Sequence, residues 1–135
     1  MPPLVPALLI LTAAELTLAR QFVLAKWLER AHERGEAVPL DLSCSCKYGT
    51  LFMHTVFGGV IAGNYQHQFN IIDDRIVDLS DASADVLSLA RPYFEEPELF
   101  DIAEHKASML TCQTRVDDWV REYLSLERPI SMMTQ

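Results

Sequence analysis

The chain has few basic residues, few cysteines and no long apolar run. Lys and Arg number 11 against 19 Asp and Glu, for a formal net charge of −8. Neutralising phosphates needs a basic surface, so this balance argues against non-specific nucleic-acid binding and against anionic membranes as partners. The uninterrupted apolar run over residues 7–11 is too short to span a membrane, and no Lys or Arg precedes it. The opening MPPLVPALLILTAAEL therefore reads as an extended lead-in to a helix rather than a targeting segment. Three cysteines make an odd number, and Cys44 and Cys46 lie too close for an easy disulfide with each other. That usage fits a reducing, cytoplasmic compartment better than an exported scaffold. A phosphate loop is also missing: Gly58-Gly59 opens onto no helix and no Lys follows at the right place. There is no internal repeat, low-complexity tract or linker.

What remains is a chain of 135 residues, half of them hydrophobic, enough for one domain with one core. Thr12 with Glu15 three residues on is the capping-box pattern. Leu16, Ala19, Val23, Trp27 and Ala31 recur at helical spacing behind it, widened by Leu24 and Leu28, and Gly35 stops the run. This predicts a helix over about residues 12–34, with Arg20, Lys26, Glu29, Arg30 and Glu33 on a solvated face. A second helix is expected from Cys46 to Phe57, capped by Ser43 or Ser45, ended by Gly58-Gly59, and buried through Leu51, Phe52 and Val56. YQHQFNIIDDRIVDLS then changes period: two β-rich runs flank Asp73-Asp74, a hairpin turn. DASADVLSLARPYF gives a short helix ended by Pro92, and EEPELF a loop or helix start. AEHKASMLTCQTRVDDWVREYL is a last helix, with Met109, Val116, Val120, Tyr123 and Leu124 on one face and Cys112 in the core. The fold class is α+β, a single domain over residues 1–135.

The chemistry lies between Cys46 and Ser80. If Asp73-Asp74 is a two-residue turn, Ile72 faces Arg75, and His67, Phe69, Ile71, Ile76, Asp78 and Ser80 share one sheet face. His67 and Asp78 are then diagonal neighbours within side-chain reach. Phe69, Ile71 and Ile76 make this the apolar face, the one expected to pack on a helix. A one-residue slip would separate His67 from Asp78. Cys46 falls at a helix start, where free N–H groups and the partial positive charge favour a thiolate. A nearby His completes an ion pair, and an Asp behind it holds the imidazole in orientation. Cys46, His67 and Asp78 supply nucleophile, general base and orienting group in chain order. The helix N–H groups supply an oxyanion site. Tyr48 and Asn64 are weaker candidates to line the site.

The order Cys on a helix start, His on a strand, Asp on the next strand resembles the papain-like/transglutaminase-like cysteine hydrolase superfamily. More narrowly, CKYGTLFMHTVFGGVIAGNYQHQFNIIDDRIVDLS resembles the small bacterial YunG-like proteins in four elements. These are Cys46, Phe57-Gly58-Gly59, His67-Gln68-Phe69-Asn70 and Val77-Asp78-Leu79-Ser80. The chain departs from that pattern where Cys44-Ser45 replaces a Gly-Gln before the Cys and where Gln68 displaces the aromatic residue after the His. The resemblance implies a papain-like core with the Cys-bearing helix on a small antiparallel sheet. It also implies peptidase, amidase, deamidase or acyltransferase chemistry on a small-molecule, peptide or protein amide, with no cofactor.

Plainer readings stand beside this one. A single Cys is commonly an inert buried thiol. Cys44 is the nearer rival nucleophile, and the spacing to Phe57-Gly58-Gly59 favours Cys46. Cys44, Cys46, His54 and His67 are zinc-type side chains, but the spacing matches no common zinc module, so no metal is expected. The alternative function is a catalytically inactive papain-like binding module.

Overall fold

The computed structural model describes residues 7–128. Its elements are α1 (Ala13–Glu33), α2 (Cys46–Phe57), β1 (Val60–Gly63), β2 (Gln68–Ile72), β3 (Arg75–Val77), α3 (Ala84–Leu87), a 3-10 turn (Pro97–Asp101) and α4 (Ala103–Leu124). The architecture is α+β: four helices and one antiparallel sheet of strand order β1-β2-β3. The first six residues of the expected lead-in lie outside the described residues. Its remainder is tied to the end of α2, because the Leu8 and Leu9 N–H groups donate to the Val56 carbonyl at 2.8 and 3.0 Å. No helix among the described residues is long and apolar enough to cross a membrane.

The start of α1 is half of a capping box. Thr12 Oγ1 accepts from the Glu15 N–H at 3.1 Å. Glu15 does not reach back; it turns inward, 4% exposed, and its carboxylate accepts from the Tyr123 hydroxyl and from Arg128. A buried carboxylate needs such partners, and α4 and the segment after it supply them. α2 is the central element, with α4 on one side and β2 on the other. Its Phe52, Met53 and Val56 are wholly buried against Ala19 and Val23 of α1 and Val116, Val120 and Tyr123 of α4. Phe22, Phe52 and Tyr123 meet ring to ring at 5.1 to 5.7 Å. Cys112 joins this core, as expected. Leu28 and Leu124 sit at its rim, over a third exposed.

Two cations assigned to a solvated face are structural. Arg20 of α1 donates through Nε to the Leu79 carbonyl at 3.1 Å and through Nη2 to the Asp78 carbonyl at 3.2 Å. Lys26 lies between Glu29 and Glu122, its side chain 13% exposed.

The hairpin has the expected register: Ile72 pairs with Arg75, Ile71 with Ile76 and Asn70 with Val77. Asp73 and Asp74 both have positive φ, 53° and 62°, as the hairpin turn with two left-handed residues requires. The packing face is the opposite of the one expected. Ile76 is 53% exposed, and α2 lies on the side of Gln68, Asn70 and Ile72. Asn70 Nδ2 donates to the Thr50 carbonyl of α2 at 3.0 Å, and Gln68 Nε2 to Thr50 Oγ1 at 3.1 Å. Polar residues can take this face because α2 offers them partners. β1 was not anticipated; it pairs along β2 from Val60–Ile71 to Gly63–Gln68. The short helix before Pro92 is also curtailed, with α3 ending at Leu87.

Candidate active site

Cys46 is the first residue of α2 and is partly exposed. Ser45 occupies the cap position without capping: its Oγ donates to the Leu42 carbonyl at 2.6 Å, and among the described residues no side chain caps the first turn. That turn also contains no acidic residue. The N–H groups beside Cys46 are therefore left without a side-chain acceptor, the condition under which a helix start holds an anion.

His67 closes the four-residue loop between β1 and β2. Its geometry is set by Asn64, whose Oδ1 accepts the N–H groups of Gln66 and His67 at 2.9 and 3.0 Å. Asn64 Nδ2 donates to the Pro92 and Phe94 carbonyls at 3.0 and 2.8 Å. Gly63 is required here, because a Cβ at that position would stand 2.6 Å from the His67 carbonyl oxygen.

The His67 and Asp78 side chains meet as the register implies: Nε2 lies 2.7 Å from Asp78 Oδ2, with both residues buried. Asp78 Oδ1 accepts the Ser80 N–H at 2.9 Å, and Oδ2 accepts the Tyr93 hydroxyl at 3.0 Å. Every carboxylate oxygen is thus satisfied, as a buried one must be. Burial disfavours the imidazolium. The Asp78 carboxylate and the Cys46 side chain outweigh it and push His67 up to about 9. Burial, reinforced by the charge of Asp78, pushes the Tyr93 hydroxyl up to about 12, so it stays a donor.

With Nε2 held by Asp78, Nδ1 is the ring nitrogen left for Cys46. Cys46 and His67 border one cleft of about 160 Å³, together with Lys47, Gln68 and His105. The structure thus brings Cys46, His67 and Asp78 together. Cys44 stands apart: it is exposed, precedes the helix with φ 67°, and its N–H donates to Asp85 Oδ2 at 2.8 Å. Asn64 borders the cleft, but its amide is fully used within the protein, so it scaffolds His67 rather than offering a hand to a ligand. Tyr48 is not at the cleft; its ring packs 5.5 Å from both Trp27 and Trp119. One turn along the helix from Cys46 is Thr50, whereas Tyr48 two residues on projects to another side. Sequence reasoning missed Tyr93 and Arg20, which hold Asp78 from its side-chain and backbone ends. Among the described residues, no group of three His, Cys, Asp or Glu side chains is arranged to hold a metal ion.

A search of family models, of curated proteins and of solved structures finds no match to this chain. The functional reading accordingly rests on the geometry of the site.

Proposed function

We propose that this protein is a cysteine-dependent hydrolase or acyltransferase built on a papain-like core and acting on an amide or thioester. Cys46 is the nucleophile, His67 the general base and Asp78 the orienting group. The observation that carries the reading is the buried 2.7 Å contact of His67 Nε2 with Asp78, formed beside Cys46 at an uncapped, acid-free helix start. In the resting pair His67 already holds the Cys46 proton as an imidazolium, and the Sγ thiolate attacks the substrate carbonyl. The first-turn N–H groups of α2 face the oxyanion. Collapse breaks the bond to the leaving amine or thiol, which takes the proton back from His67. The resulting acyl-thioester is released to water or to another acceptor, with His67 again the base.

Thiol labelling tests this directly. A haloacetamide at mildly acidic pH modifies Cys46, and Cys46→Ala abolishes the signal while Cys44→Ala does not. His67→Ala moves Cys46 labelling to higher pH, because the thiolate loses its imidazolium partner. If Cys46 and Cys44 label with the same pH profile in the unaltered protein, the catalytic reading is wrong and the inactive binding module replaces it.

A further inference from the structure

Beside the Cys46 cleft, α4 and the 3-10 turn enclose an open trough of about 430 Å³, lined chiefly by carbon. Leu51, Phe100, Met109 and Leu110 supply most of that lining. Among the described residues Lys106, exposed, is the one lining side chain that carries a charge, since burial together with Lys47 lowers the His105 pKa. The trough and the cleft share a wall. His105 borders both, its ring edge-on to Phe100 at 5.4 Å. Gln68, in the cleft wall beside His67, donates through Nε2 to Met109 Sδ at 3.6 Å. Leu110 is 72% exposed.

We propose that this trough receives the acyl side of the substrate, an apolar chain running from the carbonyl at Cys46 past His105 to Leu110. The inference rests on the cysteine-hydrolase reading and names its substrate class: an amide or thioester of a medium-length aliphatic acid. The chain is the occupant favoured because the trough adjoins, across His105 and the Gln68–Met109 contact, the cleft where the carbonyl must sit. Its volume also matches a small-molecule cleft. Each methylene that leaves water there should raise the second-order rate by up to about fourfold.

Two chloromethyl ketones measure this, chloroacetone and 1-chlorononan-2-one. Each is attacked at its CH₂ by the Cys46 thiolate: the S–C bond forms, the C–Cl bond breaks, chloride leaves with the electron pair, and His67 keeps the proton it already holds. Rates at Cys46, read by peptide mass mapping, are normalised to each reagent's rate with glutathione. The long reagent should outpace the short one by more than about tenfold. Leu110→Glu, which puts a charge in the trough, and Leu110→Trp, which fills it, should each remove most of that ratio. Leu110 is exposed, so the fold is preserved. Leu87→Glu, an exposed substitution on α3 away from the trough, should keep the ratio. Equal normalised rates for the two ketones, or a ratio that survives both Leu110 substitutions, overturns the proposal. Failure of the catalytic reading looks different: chloroacetone would then modify Cys46 no faster than the exposed Cys44.

Discussion

Replacing Asp78 by Asn removes one charge from a buried, fully bonded site, and the consequence depends on pH in a direction the geometry fixes. His67 is raised from its ordinary 6.5 to about 9 in the folded chain. A difference of that size corresponds to about 3 kcal/mol of preference for the folded imidazolium, at about 1.4 kcal/mol per pH unit. The unfolded histidine titrates near 6.5. The contribution is therefore fully present below that pH and is lost as pH rises from there through about 9. Asn at position 78 keeps the shape and one acceptor oxygen but offers no counter-charge. At pH 6 the variant should thus be destabilised by about 3–4 kcal/mol, the pair plus an imperfectly replaced hydrogen bond. At pH 9.5 only the hydrogen-bond part, about 1 kcal/mol, should remain. Urea denaturation of both proteins at the two pH values gives the difference directly, and groups that titrate alike in both cancel. An NMR titration of the His67 ring should place its midpoint near 9 in the unaltered protein and clearly lower in Asp78→Asn. A destabilisation that is the same at pH 6 and pH 9.5 would refute the ion-pair account of this site.

Other substitutions separate the supports of the site from its chemistry. Gly63→Ala forces a Cβ against the His67 carbonyl and should cost about 1–3 kcal/mol, with Cys46 labelling slowed because the His67 loop must shift; denaturation and labelling on one sample check both. Arg20→Leu deletes the two bonds to the Asp78 and Leu79 carbonyls and should cost about 1–3 kcal/mol, detectable as a fall in Tm. Tyr93→Phe leaves Asp78 Oδ2 one donor short. It should lower stability by about 1 kcal/mol and move the His67 NMR midpoint upward, since the carboxylate then leans more on the imidazolium.

The long helices, the hairpin register and the pairing of His67 with Asp78 were readable because each follows from a local rule. Helical periodicity marked α1 and α4, the Gly58-Gly59 stop marked α2, and the Asp73-Asp74 turn fixed which residues oppose one another. Apolarity alone points to the wrong packing face, because the partner helix decides which polar residues can be buried. Gln68 and Asn70 look like solvent residues until Thr50 of α2 accepts from both. β1 escaped because four residues with a glycine at the end carry too little pattern. The roles of Arg20 and Tyr93 were not readable at all. Each reaches Asp78 across many residues of chain, 58 for Arg20 and 15 for Tyr93, and no spacing rule encodes such contacts. Tyr48 and Asn64 show the limit from the other side: proximity in sequence to Cys46 and His67 said nothing about where a ring packs or whether an amide is already spent.

The start of α2 joins the local and global levels. Ser45 is a residue type that normally caps a helix, and a cap of that kind contributes about 1 kcal/mol. Here its hydroxyl turns back to the Leu42 carbonyl, and the turn is anchored by Asp41 and Asp85 instead. Asp41 accepts the Ser43 and Ala84 N–H groups and is held below the usual carboxylate range by its hydrogen bonds with Ser43 and Ala84. Asp85 accepts the Cys44 N–H in return. The acidic groups nearest the helix start are thus spent on the loop before it and on α3, and the helix N–H groups beside Cys46 meet none of them. A loop built only for stability would have used Ser45 or one of these carboxylates as the cap. Leaving that end open costs a capping interaction and keeps free the donors that the proposed oxyanion step needs, next to the one thiol that shares a cleft with His67.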